Sequence, residues 1–332
     1  MQNEVKTTSL VEVQQMVQSI TKQQGISTLA FVGCGASMSE LYPAKYFLEQ
    51  EAHSLRTALL TANEFNYARP NFADESAVVV VASLGGTTQE SIEATKNAHD
   101  WGCTVVAVTH NPDAKLTEAA DYVLVHSFFT SYATKAAKTK VVLEFSAEML
   151  NAVEGYDNYE AIQTAFAGID DVINEGVKSV TPAAKEFAQE YKDDQLIYTI
   201  SSGATFGTAY STANFLFMEM QWIASPVIHS GEYFHGPFEM TNNGTPYLLF
   251  MNDGKTRHLD ARVLEFLQRF EARFTVIDAK DYGLDSVCAP TVIDYFNPLI
   301  ITGVMRVYAE ELAKARNHPL TKRQYMWKLE NY

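Results

Sequence analysis

The chain has 332 residues, of which 47% are hydrophobic, 20% charged and 12% aromatic, the make-up of a folded globule long enough for about two domains of ~150 residues. A net charge of −15 excludes the dense Lys/Arg surface that nucleic acids require. It leaves room for a phosphorylated small molecule, because such sites draw on backbone N–H groups and hydroxyls.

Residues 8–24 place Leu10, Val11, Val13, Val17 and Ile20 at the spacing of an amphipathic helix. The run Thr28 to Val32 leads through Gly33-Cys34-Gly35-Ala36-Ser37 into a helical stretch ending near Ala52: strand, glycine turn, helix. The unit recurs at once. Ala77 to Ala82 is wholly apolar, Ser83-Leu84-Gly85-Gly86-Thr87-Thr88 follows, and a helix is expected through Trp101. Two short strands, Thr104 to Thr109 and Tyr122 to Val125, precede a helix from Lys138 to about Val153. Residues 154–190 read as helical, polar and linking. The pattern restarts with a strand from Leu196 to Ser201, the turn Ser202-Gly203-Ala204-Thr205 and a helix from Tyr210 to Trp222. Strands apolar on both faces, alternating with helices, imply parallel sheets covered on both sides.

The restart is an internal repeat. At one constant offset, Gly35-Ala36-Ser37 recurs as Gly203-Ala204-Thr205, Tyr42 as Tyr210, Phe47 as Phe215 and Glu51 as Glu219. Such self-similarity marks a duplicated unit; chance likeness between two generic strand–helix units is the alternative. The expected architecture is α/β, with similar domains at 8–160 and 185–317 and a tail at 318–332. Cys34, Cys103 and Cys288 form no CxxC pair, so neither a disulfide framework nor a zinc site is expected. No stretch approaches ~18 uninterrupted apolar residues, and the N-terminus lacks a signal-peptide pattern. A cytoplasmic protein with no membrane partner is expected.

Ser83 to Thr88 follows a buried-type strand and opens a helix, where several N–H groups have no intrahelical partner and the helix dipole is positive. Ser83, Thr87 and Thr88 add hydroxyls, and Gly85 and Gly86 allow close approach of an anion to the backbone. Such a turn suits a phosphate monoester, and the same logic covers Gly35 and Ser37. Plain helix capping is the alternative. Neither turn is a P-loop or a dinucleotide fingerprint.

The segment FMEMQWIASPVIHSGEYFHGPFEM at 217–240 gathers Glu219, His229, Glu232, His235 and Glu239. Glu219 sits late in an apolar helix, where a carboxylate is costly to bury unless used or paired. Burial would raise its pKa and suit it to act as a general base near neutrality. Pairing with a core Lys or Arg is the alternative. For His229, Glu232, His235 and Glu239 the alternatives are surface, capping and turn roles.

These residues resemble the sugar isomerase (SIS) domain family over nearly the whole chain. The resemblance rests on the tandem domain, Gly-Cys-Gly-x-Ser at 33–37, Ser-x-x-Gly-x-Thr at 83–88 and Gly-Glu-x-x-His-Gly-Pro at 231–237. The isomerase half of glucosamine-6-phosphate synthase has a helix glutamate and a histidine at the spacing of Glu219 and His235. No glutaminase domain precedes this segment, so amide transfer from glutamine is not expected. The runs IHSGEYFHGPFEM at 228–240, VIDYFNP at 292–298 and HPLTKRQYMWKLENY at 318–332 are more similar to bacterial fructosamine 6-phosphate deglycases.

That resemblance implies flavodoxin-like three-layer domains and hydrolysis of a phosphorylated Amadori compound to glucose 6-phosphate and an amino acid. Glu219 would be the base and His235 the acid. Ser37, Ser83 and Thr88 would hold the phosphate, with Gly35, Gly85, Thr87, Glu232 and Lys328 as further substrate contacts. Gly85 stands where the synthase has Ser, and Thr87 would replace that hydroxyl. The resemblance implies no metal or organic cofactor and a homodimer or larger assembly with shared sites. An aldosamine 6-phosphate deglycase, a phosphosugar isomerase and a non-catalytic sugar-phosphate sensor are the alternatives.

Overall fold

The computed structural model describes residues 5–22, 25–128 and 130–329; positions 330–332 of the expected tail lie outside the described residues. The chain divides into two compact units, Met1–Asp170 and Asp171–Tyr332.

In the first unit, β1 (Thr28–Gly33), β2 (Arg56–Thr61), β3 (Ala77–Ala82), β4 (Thr104–Thr109) and β5 (Tyr122–Val125) form a parallel sheet in the order β2-β1-β3-β4-β5. β1 and β3 are buried along their whole length, as strands apolar on both faces require. β2 has no counterpart in the sequence reading. It is an edge strand, RTALLT, only partly buried, so it carries neither a solid apolar run nor clean alternation. The helix Leu10–Ile20 starts on a capping box between Ser9 and Glu12 and buries Val13, Val17 and Ile20, about 1.5–3 kcal/mol for each side chain removed from water. The helix Gln89–Asp100 buries Ala94 and Ala98 in a core with Val79, Val81, Val105 and Leu116.

In the second unit, β6 (Tyr198–Ser201), β7 (Val227–His229), β8 (Pro246–Met251) and β9 (Arg273–Asp278) form a parallel sheet in the order β7-β6-β8-β9. β6 is shorter than expected, because Leu196 makes only an isolated bridge to Ala224. The helix Thr181–Tyr191 packs along Asn297–Ala315, with Phe187 and Tyr308 ring centroids 5.4 Å apart. Residues 154–190 are therefore not a polar linker. Their helices Tyr159–Gly176 and Thr181–Tyr191 bury Ile162, Ile169, Ile173, Ala184, Phe187 and Tyr191, an apolar stripe at helical spacing diluted by the charged residues of the outer face.

In both sheets the first strand lies between the next two in sequence, so the chain leaves it once to each side. This reversal opens a crevice at the carboxyl ends of the strands, between β1 and β3 in one unit and between β6 and β8 in the other. Among the described residues, no helix is long and apolar enough to cross a membrane.

Candidate active site

The two turns singled out as phosphate cradles leave adjacent strands at the β1/β3 crevice, since Gly33 pairs in register with Ala82. Ser83 is buried, and its N–H donates to Val108 O at 3.0 Å. The turn closes through Gly86 N–H to Ser83 O at 3.1 Å, and Leu116 N–H donates to Gly86 O at 3.2 Å. Gly86 has φ +64°, and a Cβ there would lie 2.3 Å from Ala114 Cβ, so glycine is required by conformation and by space. Gly85 is exposed, and a Cβ there would meet only Thr87 Oγ1, at 3.7 Å. Thr87 is exposed as well.

Thr88 occupies the N-cap of the helix Gln89–Asp100, yet its side chain makes no capping bond. It shares a 3.0 Å hydrogen bond with Ser83 Oγ instead. One proton serves that pair, and the other hydroxyl keeps a proton to donate outward. Capping therefore does not account for Thr88. On the neighbouring turn, Gly35 precedes the short helix Ala36–Ser39, and Ser37 Oγ accepts a hydrogen bond from Lys138 Nζ at 3.0 Å.

In the second unit the expected helix Tyr210 to Trp222 is heterogeneous. An α-helix spans Phe206–Ser211 and continues as a wider π-helix over Thr212–Glu219. Asn214 Nδ2 donates to Tyr210 O at 2.9 Å, the carbonyl that Asn214 N–H would use in an α-helix, and such side-chain competition loosens the ladder. The helix stops where Trp222 turns left-handed (φ 56°), with Ile223 N–H donating to Phe217 O at 3.0 Å.

Glu219 ends the π-helix and is not an isolated buried carboxylate: its side chain is 22% exposed and accepts from Arg323 Nη2 at 2.6 Å. The expectation of a base tuned by burial alone gives way to the pairing alternative. Arg323 is buried to 6% exposure, and its Nη1 also donates to Leu320 O at 2.7 Å and Lys322 O at 2.9 Å. His235 lies on a single 3-10 turn, Tyr233–His235, and is exposed, as is Glu232. His235 N–H donates to Glu232 O at 2.9 Å, and the buried Tyr233 anchors the turn, with its hydroxyl on Thr241 Oγ1. His229 Nδ1 accepts from Gly231 N–H at 3.0 Å, so its Nε2 carries the proton in the neutral ring. Lys328 is exposed, and its backbone N–H donates to Tyr325 O at 2.9 Å.

No family model matches the chain. It is 36% identical over 329 residues to fructosamine deglycase FrlB of Bacillus subtilis (strain 168), spanning 96% of this chain and 97% of that protein. It is 24% identical over 282 residues to fructoselysine 6-phosphate deglycase of Escherichia coli (strain K12), spanning 84% and 81%. A solved phosphosugar-isomerase-type protein of Salmonella typhimurium LT2 matches with TM-score 0.94 and 37% identity over 98% of each chain. The C-terminal domain of glucosamine-fructose-6-phosphate aminotransferase from Francisella tularensis matches with TM-score 0.78 and 15% identity, over 93% of this chain and 89% of that one. The chain belongs to the sugar isomerase (SIS) domain family.

The two sheets are its two tandem SIS domains, as the internal repeat implied. Two residues of this SIS protein escaped the sequence reading. Arg323 lies more than a hundred residues from its partner Glu219, and only its place in the tail motif could have drawn notice. Lys138 opens the helix Ala137–Val153, where a lysine reads as a solvated charge. It is only 4% exposed.

Proposed function

We propose that this chain hydrolyses a 6-phosphorylated fructosamine to glucose 6-phosphate and a free amino acid. The observation that carries this reading is the 36% identity, across 96% of the chain, to a fructosamine deglycase. The β1/β3 crevice takes the phosphate: Ser37 and the Ser83–Thr88 pair each donate one hydroxyl proton, and the N–H groups of Gln89 and Glu90 at the start of Gln89–Asp100 add theirs. Binding there orients C1 and C2 of the sugar from a distance.

His235 assists ring opening. Glu219 removes a proton from C1, giving an enolamine, and reprotonation at C2 gives an aldimine. Water adds to the C=N carbon, and the C–N bond breaks as the nitrogen leaves with a proton. The C2 carbonyl takes up the electrons of the C1–H bond, and the nitrogen lone pair then forms the C=N bond as C2 is protonated. Among the described residues Glu219 Oε2 carries no hydrogen bond, so one oxygen is free for the C1 proton while Arg323 fixes the other. His235, exposed in its own chain, serves the phosphate turns of a second copy, so the working unit is at least a dimer.

The test is a coupled assay for glucose 6-phosphate with fructoselysine 6-phosphate, fructose-asparagine 6-phosphate and glucoselysine 6-phosphate. Turnover is expected with a fructosamine, and Glu219→Gln should lower kcat by about 10²–10⁴-fold with binding retained. Near-normal turnover in Glu219→Gln would remove its assignment as base. Binding without turnover across the panel would identify a sensor.

A further inference from the structure

A buried cation sits behind the first phosphate turn. Lys138 Nζ donates to Ser37 Oγ at 3.0 Å and to Glu40 Oε2 at 2.5 Å, and Lys138 is only 4% exposed. An ammonium has donors and no acceptor. Ser37 Oγ must therefore accept from it, and the hydroxyl proton of Ser37 is left to point elsewhere. Glu40 compensates the charge, and its backbone carbonyl accepts from Thr139 Oγ1 at 3.0 Å, so the helix Ala137–Val153 is tied to the turn through two adjacent residues.

We propose that Lys138 is a positioning residue of the phosphate site: anchored by Glu40, it holds Ser37 Oγ as an acceptor and so commits the Ser37 O–H to donate to the phosphate monoester in the β1/β3 crevice. The inference rests on the deglycase reading for the identity of the ligand. The same device operates on the other side of the crevice, where Ser83 and Thr88 share one proton and leave the other to donate.

The surroundings agree. His126, at the carboxyl end of β5, is fully buried, and its Nε2 has no hydrogen-bond partner among the described residues. Burial first, and the Lys138 charge second, push this imidazole down to about 3, so it stays neutral. The charges of Lys138 and Glu40 offset each other in their ion pair. Lys138 thus acts through geometry rather than net attraction.

A merely structural Lys138–Glu40 pair would also lose stability on mutation, so the test reads ligand affinity and coupling. Glucose 6-phosphate binding to the full-length protein is measured by calorimetry for wild type, Lys138→Met, Ser37→Ala and the double variant. Each single change should weaken binding about tenfold, the worth of one well-placed hydrogen bond, and the double should be no weaker than either single. In turnover the loss should fall on KM far more than on kcat, because the contact is made in the ground state as well as the transition state.

Lys138→Arg keeps a donor and should recover part of the affinity, which also serves if Lys138→Met does not fold. Additive losses in the double variant, or wild-type affinity in Ser37→Ala, would overturn the inference while leaving the deglycase reading in place. A wild-type protein that does not bind glucose 6-phosphate would overturn both.

Discussion

The two SIS units have the same strand order around their central strands, and they fill the resulting crevice in opposite ways. At β1/β3 the hydroxyl of Ser37 and one hydroxyl of the Ser83–Thr88 pair are left with protons to give. At β6/β8 the protein supplies its own anion. Asp260, fully buried, accepts from Ser202 Oγ at 2.7 Å, Ser230 Oγ at 2.6 Å, Asn252 N–H at 3.1 Å and Asn252 Nδ2 at 2.6 Å. The loop after β8 is closed in the same manner. Asp294 Oδ1 accepts from Lys255 N–H at 3.1 Å, Asn297 Oδ1 accepts from Asp253 N–H at 3.0 Å, and a Cβ on Gly254 would lie 1.7 Å from Asp294 Oδ1. A shared fold provides the crevice, and the side chains decide whether a ligand or a carboxylate of the chain itself occupies it. On this account duplication of the unit yields one phosphate site per chain.

Breaking the internal anion is the severest test of that contrast. Asp260→Ala would leave Ser230 Oγ and the Asn252 N–H without an acceptor, while Ser202 Oγ and Asn252 Nδ2 keep Thr256, and should cost about 3–5 kcal/mol, as removing one partner of a buried charged network does. Urea titration checks this, and a loss under ~1 kcal/mol would mean that Asp260 is not the plug. Burial pushes Asp260 above the ordinary carboxylate range against the pull of its four donors.

A buried acid of the first unit offers the next effect. Burial is the main influence raising Glu144 from 4.5 to about 7; Lys140 opposes it, and Glu148 and Asp170 add to it. The folded state then holds a proton that the unfolded chain has lost, so this contribution to stability is whole below pH 4.5 and declines as pH rises through about 7. Glu144→Gln should cancel the decline and gain up to about 3 kcal/mol at pH 8, with little change at pH 4.5. Parallel melting curves for both proteins across that range would show no convergence toward low pH if Glu144 is ordinary.

Much of the fold was legible in the sequence, and for physical reasons. β1 and β3 are solid apolar runs because both faces are covered, and the turns that follow them carry their glycines and hydroxyls openly. The tandem organisation showed in Gly203-Ala204-Thr205 repeating Gly35-Ala36-Ser37. Edge strand β2 and the half-buried β9 lack a decisive period, so only pairing defines them. The pairing of Glu219 with Arg323 and of Ser37 with Lys138 joins residues about a hundred positions apart, which no local pattern encodes. The π-helix Thr212–Glu219 coincides with a side-chain bond from Asn214 to Tyr210 O, which no periodicity encodes. Asp260 is one charged residue among several on the helix Arg257–Arg269, and only the sheet order reveals that it stands where a ligand would.

The most direct measurement is the stoichiometry and location of glucose 6-phosphate binding, by calorimetry on wild type and on Ser83→Ala/Thr88→Val. Wild type should bind one glucose 6-phosphate per chain, and the double variant should bind it 5- to 30-fold more weakly, about 1–2 kcal/mol for the lost hydroxyls. Two sites per chain, or unchanged affinity without those hydroxyls, would contradict it.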